Sequence, residues 1–149
     1  MKKSSVIFLV MVVSLVASVA FAGPWKGWKG SGGWGPGTQY HRFYNPQTVE
    51  TITGEVLSVD KITPMKGMNY GIAVTLKTEK ETIQVHLGPG WYVERLDVKI
   101  DKGDKLEVKG SRTTIAGKPV IIAQEFKKGD AVFVLRDNNG YPVWSGWKR

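Results

Sequence analysis

His41 and His86 are the only side chains in this sequence that titrate near neutrality without help from their surroundings. Any general base, nucleophile or metal site would have to be assembled from them and from carboxylates, because the chain has no cysteine. That absence removes disulfides, thiolate ligands and cysteine nucleophiles together. No two His, Asp or Glu fall at a familiar metal-ligand spacing. The serines lack the Gly-x-Ser-x-Gly or Ser-x-x-Lys setting that activates a hydroxyl. Gly32-Gly33-Trp34-Gly35 is glycine-rich, but no Gly-Lys-Ser/Thr ending follows it, so it is not a phosphate cradle. The chain reads as a non-enzyme that needs neither a metal nor another cofactor.

What the sequence does offer is aromatic-cationic chemistry. Trp25-Lys26-Gly27-Trp28-Lys29 near one end is echoed by Trp144-Ser145-Gly146-Trp147-Lys148 at the other. An indole flanked by ammonium groups suits an anionic amphiphilic surface, where the ring sits at the interface and the cation meets phosphate or carboxylate. Trp25, Lys26, Trp28, Lys29, Trp34, Trp144, Trp147 and Lys148 are therefore candidate contact residues for an envelope component, a lipid headgroup or anionic glycan, or for a periplasmic protein. The competing reading is that these indoles pack back onto the folded body. A second group, Trp91, Tyr92, Arg95, Arg112 and Arg136, is a candidate anion pocket if the fold gathers it at one end. The structural alternative makes Trp91 a core plug and Arg95 a surface ion-pair partner.

The elements that must position these residues are strands. Thr82 to Leu87 alternates polar and apolar, placing Ile83, Val85 and Leu87 on one side and Thr82, Gln84 and His86 on the other. His86 thus falls on the outer side, as an exposed or hydrogen-bonded strand residue. Gly88-Pro89-Gly90 ends the strand, and Trp91 to Leu96 is a helical turn too short to stand alone, with Trp91 and Leu96 the residues to bury. Lys105 to Lys109 is the next strand. Upstream, Thr48 to Lys61 is one long strand with a bulge expected at Val56-Leu57, just after Gly54. Tyr70 to Thr78 follows, with Tyr70, Ile72, Val74 and Leu76 inward and Ala73, Thr75 and Lys77 outward. Val120 to Phe126 and Ala131 to Arg136 are further strands, and Asp137-Asn138-Asn139-Gly140 turns Tyr141 to Trp144 back beside the last one. A short helix between strands three and four of an otherwise all-β chain predicts a five-stranded OB-fold barrel with a C-terminal extra strand or hairpin.

Lys2-Lys3, the apolar run Val6 to Val19 and Ala20-Phe21-Ala22 before Gly23 read as a cleaved signal peptide over residues 1–22. Residues 23–47 form a Gly/Trp-rich flexible tail and an aromatic arm, and residues 48–147 the OB-fold domain. Tyr40, Phe43 and Tyr44 of the arm are expected on the outside of the barrel. The formal charge is +8, but 14 of the 21 Lys and Arg lie between Val49 and Val143, together with all 13 Asp and Glu. The body is nearly neutral and the tails are basic, whereas a protein dedicated to the phosphate backbone usually carries its charge on one face.

Several segments resemble small exported bacterial OB-fold proteins, many labelled DNA-binding: TVETITGEV at Thr48 to Val56, VHLGPGWYV at Val85 to Val93, KGDKLEVKGSR at Lys102 to Arg112, GKPVIIAQE at Gly117 to Glu125 and LRDNNGYPVWSGW at Leu135 to Trp147. The arrangement is also similar, more loosely, to the bacterial OB-fold (BOF) periplasmic stress proteins. The resemblance implies fold and location and carries over no catalytic residue. The function expected is a non-catalytic, monomeric periplasmic binding module. Its alternatives are a single-stranded DNA-binding protein, against which the outer residues of strands two and three offer no stacking ring, and a small-anion or metal-handling accessory. Export makes a mass prediction: the exported protein lacks the first 22 residues, and an intact mass that retains Met1 refutes the leader.

Overall fold

The computed structural model describes residues 32–146. The expected leader and Trp25, Lys26, Trp28, Lys29, Trp147 and Lys148 lie outside the described residues. The fold is all-β with little helix: β1 (Val49–Ile62), β2 (Gly71–Lys77), β3 (Thr82–Pro89), the one-turn helix α1 (Gly90–Val93), β4 (Lys105–Ile115), β5 (Lys118–Lys128) and β6 (Ala131–Val134). The strands form one six-stranded sheet in the order β3-β2-β1-β4-β5-β6 with antiparallel neighbours. β3 also pairs with β5, in parallel, over Gln84↔Val120, Val85↔Ile121 and His86↔Ile122.

Local chemistry sets the element ends. Asn45 accepts the Gln47 N–H on its side-chain oxygen at 2.8 Å, and Pro46 opens a 3-10 turn (Pro46–Thr48) that delivers the chain to β1. The expected bulge is present: the β1–β2 register shifts between Val56 and Ser58, so Val56 faces Leu76 while Ser58 faces Thr75. Ala116-Gly117 closes the β4–β5 hairpin with both residues at positive φ, 54° and 79°, the twist that a two-residue hairpin loop requires.

One face of the sheet is the apolar interior, with Val56, Val74, Leu76, Val85, Leu87, Leu106, Val108, Ile121 and Phe126 buried. The outward face of β2 and β3 departs from the sequence reading. Ala73, Thr75 and His86 were placed outside by strand parity, yet all three are buried. Two further differences concern the plug and the C-terminal hairpin. In α1 it is Tyr92 and Val93 that are buried, while Trp91 and Leu96 are only half-buried. After β6 the returning chain makes a single bridge, Arg136↔Pro142, and then a 3-10 turn (Val143–Gly146) in place of a full hairpin strand.

The cover over that outward face comes from residues 32–44. Gly71 and Gly88 sit on neighbouring rungs of β2 and β3, since Gly71 pairs with Pro89 and Ile72 with Gly88. A Cβ built on Gly71 would stand 2.2 Å from the Trp34 ring, and one on Gly88 would stand 2.8 Å from the Trp144 ring. The missing side chains are the space that the two indoles fill. Gly71→Ala is accordingly expected to overpack Trp34 and to cost about 1–3 kcal/mol, read as a lowered urea midpoint. Ala at Gly67, where nothing lies within 4 Å, meets only the positive-φ penalty and is the milder control.

Candidate functional site

The segments around Trp34 and Trp144 meet on this corner of the sheet. The Trp34 indole N–H donates to the Asn69 carbonyl at 2.9 Å, and the Trp144 indole N–H donates to the Trp34 carbonyl at 3.1 Å. Tyr40 packs against Trp34 with ring centroids 4.8 Å apart, and Tyr92 against Trp144 at 5.2 Å. Trp34 and Trp144 are 2% and 1% exposed. Both are therefore interior residues, as in the reading that packs these indoles back on the folded body and not the one that makes them a contact surface, because glycine-lined space on the sheet gives each ring more contact than solvent does.

Beneath Trp144 lies Arg136, itself 3% exposed. Its guanidinium carbon stands 5.0 Å from the indole centroid, and its Nη1 donates to the carbonyls of Leu87 and Ala123. The cation is thus met by backbone dipoles and an aromatic face. Gln124 ties this segment to β5: its carbonyl accepts from the Leu135 and Arg136 amides at 2.8 and 2.9 Å, and its side chain receives the Tyr44 hydroxyl at 3.3 Å and donates to Asn138 at 3.0 Å.

His86 is sealed beside this cluster. Its Nδ1 lies 2.9 Å from the Tyr40 hydroxyl and its Nε2 lies 3.0 Å from the Gln84 Oε1. The pairing fits a neutral ring that accepts from Tyr40 and donates to Gln84. Burial, with a smaller push from Arg136, lowers its pKa to about 3, and burial raises that of Tyr40.

The second candidate pocket does not assemble. Arg112 is held on the sheet's polar side by Glu50 at 2.6 Å and Glu81 at 2.5 Å, which keeps Glu81 acidic. Arg95 is exposed and lies 5.7 Å from the Trp91 ring. Tyr92 and Arg136 both pack on Trp144, and Arg136 is buried. The three guanidinium groups therefore serve separate surroundings.

A site that strand parity concealed lies on the same outward face. A cleft of about 480 Å³ opens between the end of β1 with its following loop, the facing pair Thr75 and Gln84, and the β4–β5 hairpin. Ile62, Pro64, Ile83, Ile115, Pro119 and Val120 supply apolar walls, and Lys118 stands at the rim. Thr63 and Thr75 also line it, and the Oγ1 of each is buried with no hydrogen-bond partner among the described residues. A buried hydroxyl left unpaired costs about 1–3 kcal/mol. Two on one cleft are an unmet demand for a partner. The sequence signal was thin: Thr75 read as an ordinary outward strand residue and Thr63 as loop.

Among the described residues no group of three or more His, Asp or Glu is placed to hold a metal ion. The pH behaviour of the fold follows from His86. The unfolded chain takes up a proton below about pH 6.5, while the folded chain refuses it until about pH 3. The unfolded state thus binds more protons across that window, and stability rises with pH there. Chemical-denaturation midpoints are expected to fall steadily from pH 7 to pH 4, with a shallower slope in His86→Gln.

The comparisons with known proteins bear on the resemblance drawn from the sequence. A family model described as the MamS/MamX magnetosome protein family matches residues 48–133, more than half of the chain. No curated protein matches the chain. The likeness to exported OB-fold proteins labelled DNA-binding, and to the BOF family, is thereby corrected. Short strand-and-turn segments such as TVETITGEV reflect a shared strand pattern, which many β-proteins satisfy. The matched stretch holds β1 to β5, most of β6 and the glycines under the indoles, while Trp34, Arg136 and Trp144 lie outside it. The chain belongs to the MamS/MamX magnetosome protein family.

Proposed function

We propose that this protein is an exported, non-catalytic binding module whose six-stranded sheet closes on itself as an OB-type barrel. It works in the periplasm and contacts an envelope component or a partner protein, of which other magnetosome proteins are the first to test given the family's name. Closure is supported by the β3–β5 pairing, which joins the two arms of the sheet order. Small barrels of this class take ligands on the face of strands two and three, between the loops that flank it.

The observation that carries the reading is the cleft on that face, with two unpaired hydroxyls in an otherwise satisfied surround. His86, which lines the cleft together with Lys118, is locked between Tyr40 and Gln84 in a neutral form, which suits a structural part better than a general base. Among the described residues no Trp, Tyr or Phe lines the cleft, and Lys118 is the single Lys or Arg there, so single-stranded nucleic acid is the weaker occupant. The tail residues Trp25, Lys26, Trp28 and Lys29 add an envelope contact in this reading, as their aromatic-cationic pattern suggests.

Thr82 lines the cleft and is exposed, so Thr82→Trp fills the space without disturbing the core. Cross-linking capture from the native periplasm is expected to lose its main product in this variant while the melting temperature stays within about 2 °C of wild type. Deleting residues 23–31 is expected to weaken envelope co-sedimentation with an unchanged melt, whereas deleting 23–37 also removes Trp34 and lowers the melt by several degrees. Undiminished capture by Thr82→Trp rules out the cleft as the binding surface.

A further inference from the structure

The chemistry of the cleft narrows its occupant. Its walls are aliphatic, from Ile62, Ile83, Ile115 and Val120, and its volume of about 480 Å³ falls among ordinary small-molecule sites. Among the described residues no Asp or Glu lines it, and Lys118 is the one ammonium. His86 contributes no charge, since both of its ring nitrogens are engaged by Tyr40 and Gln84. Of the buried side-chain polar atoms that line it, the hydroxyls of Thr63 and Thr75 have no partner among the described residues, and Thr75 is 7% exposed. A hydroxyl can donate to an anion, and donors beside an ammonium favour a negatively charged acceptor.

Resting on the binding-module reading, we propose that the cleft binds an anionic amphiphile: an aliphatic body between the isoleucine walls and a carboxylate head received by Lys118 and the Thr75 hydroxyl, which the register brings near one another, since Thr75 faces Gln84 and Gln84 pairs with Val120, two residues from Lys118. A cationic head would be repelled by Lys118, and a quaternary one, with no N–H, would also leave the hydroxyl unmet. A nucleobase or sugar ring would find no Trp, Tyr or Phe among the described residues to stack on. The same hydroxyl distinguishes ligand binding from mere packing, because replacing an unpaired buried hydroxyl by a methyl group relieves the empty protein while removing a donor from the complex.

Decanoate is the probe, with decyltrimethylammonium as the cationic match, both kept below their micelle concentrations and followed by amide chemical shifts of the mature protein and by calorimetry. Decanoate is expected to bind saturably at one site, shifting Thr63, Thr75, Ile83 and Lys118, and the cation to bind about tenfold more weakly, the scale of one charge contact. Thr75→Val is expected to raise the melting temperature without ligand and to weaken decanoate about fivefold, the loss of one hydrogen bond. Lys118→Gln, at an exposed position, is expected to abolish the preference between the two heads with the melt unchanged. Equal affinity for both heads, or a Thr75→Val protein that binds decanoate as wild type does, overturns the proposal. If decanoate leaves the cleft unmoved while a capped Val-Ser-Val-Ser-Val-Ser peptide shifts it, the ligand class is wrong and the binding seat stands. If neither probe moves cleft resonances and Thr82→Trp also captures normally, both readings fall.

Discussion

Two indoles resting on two glycines organise this molecule. β2 and β3 could satisfy their backbone pairing with any strand-forming residues at positions 71 and 88, but any side chain there would fill the space occupied by Trp34 and Trp144. The rings come from segments far apart in the chain, and each closes a hydrogen bond on burial, Trp34 to Asn69 and Trp144 to Trp34 itself. A buried indole with its N–H satisfied contributes large apolar contact without the desolvation cost of an orphan donor. The segments around them are thereby fastened to each other and to the sheet in one step. The same device recurs at Gly90 under Tyr70 and at Gly140 under Tyr44.

That clasp makes room for polar burial that would otherwise be expensive. Arg136 is a desolvated cation with no carboxylate against it, and the carbonyls of Leu87 and Ala123 with the Trp144 face are what meet its charge. Its field also disfavours a second positive charge nearby, one reason why His86 stays neutral. Tyr40 and Gln84 then fix the ring between an incoming and an outgoing hydrogen bond. By contrast the Arg112 pairs with Glu50 and Glu81 sit partly in water, where such bridges contribute little and serve mainly to hold the sheet's rim.

The outward face of β2 and β3 is therefore divided. Its Ala73 end is covered, its Thr75 and Gln84 end opens into the cleft, and His86, bonded to Tyr40 of the arm, lines the cleft between them. The contrast in hydrogen bonding is sharp. Both ring nitrogens of His86 have a partner, whereas the Thr63 and Thr75 hydroxyls have none among the described residues.

The sequence by itself determined the strands, the bulge after Gly54, the turns and the neutral body with basic ends. These follow from period-two alternation, glycine and asparagine-glycine punctuation and charge position, which are local quantities. It could not assign the tryptophans. Trp34 in a run of glycines and Trp144 in a C-terminal repeat carry the same local chemistry whether they face solvent, a partner or the sheet. Only the register that sets Gly71 beside Gly88 decides it. Parity likewise put Thr75 and His86 on the outer face, correctly, but whether that face is wet, covered or recessed depends on a segment some 40 residues away in the chain, as the Tyr40–His86 contact shows. Burial is a property of what arrives from elsewhere, so the tertiary structure alone settled which indoles are core and where the cleft lies.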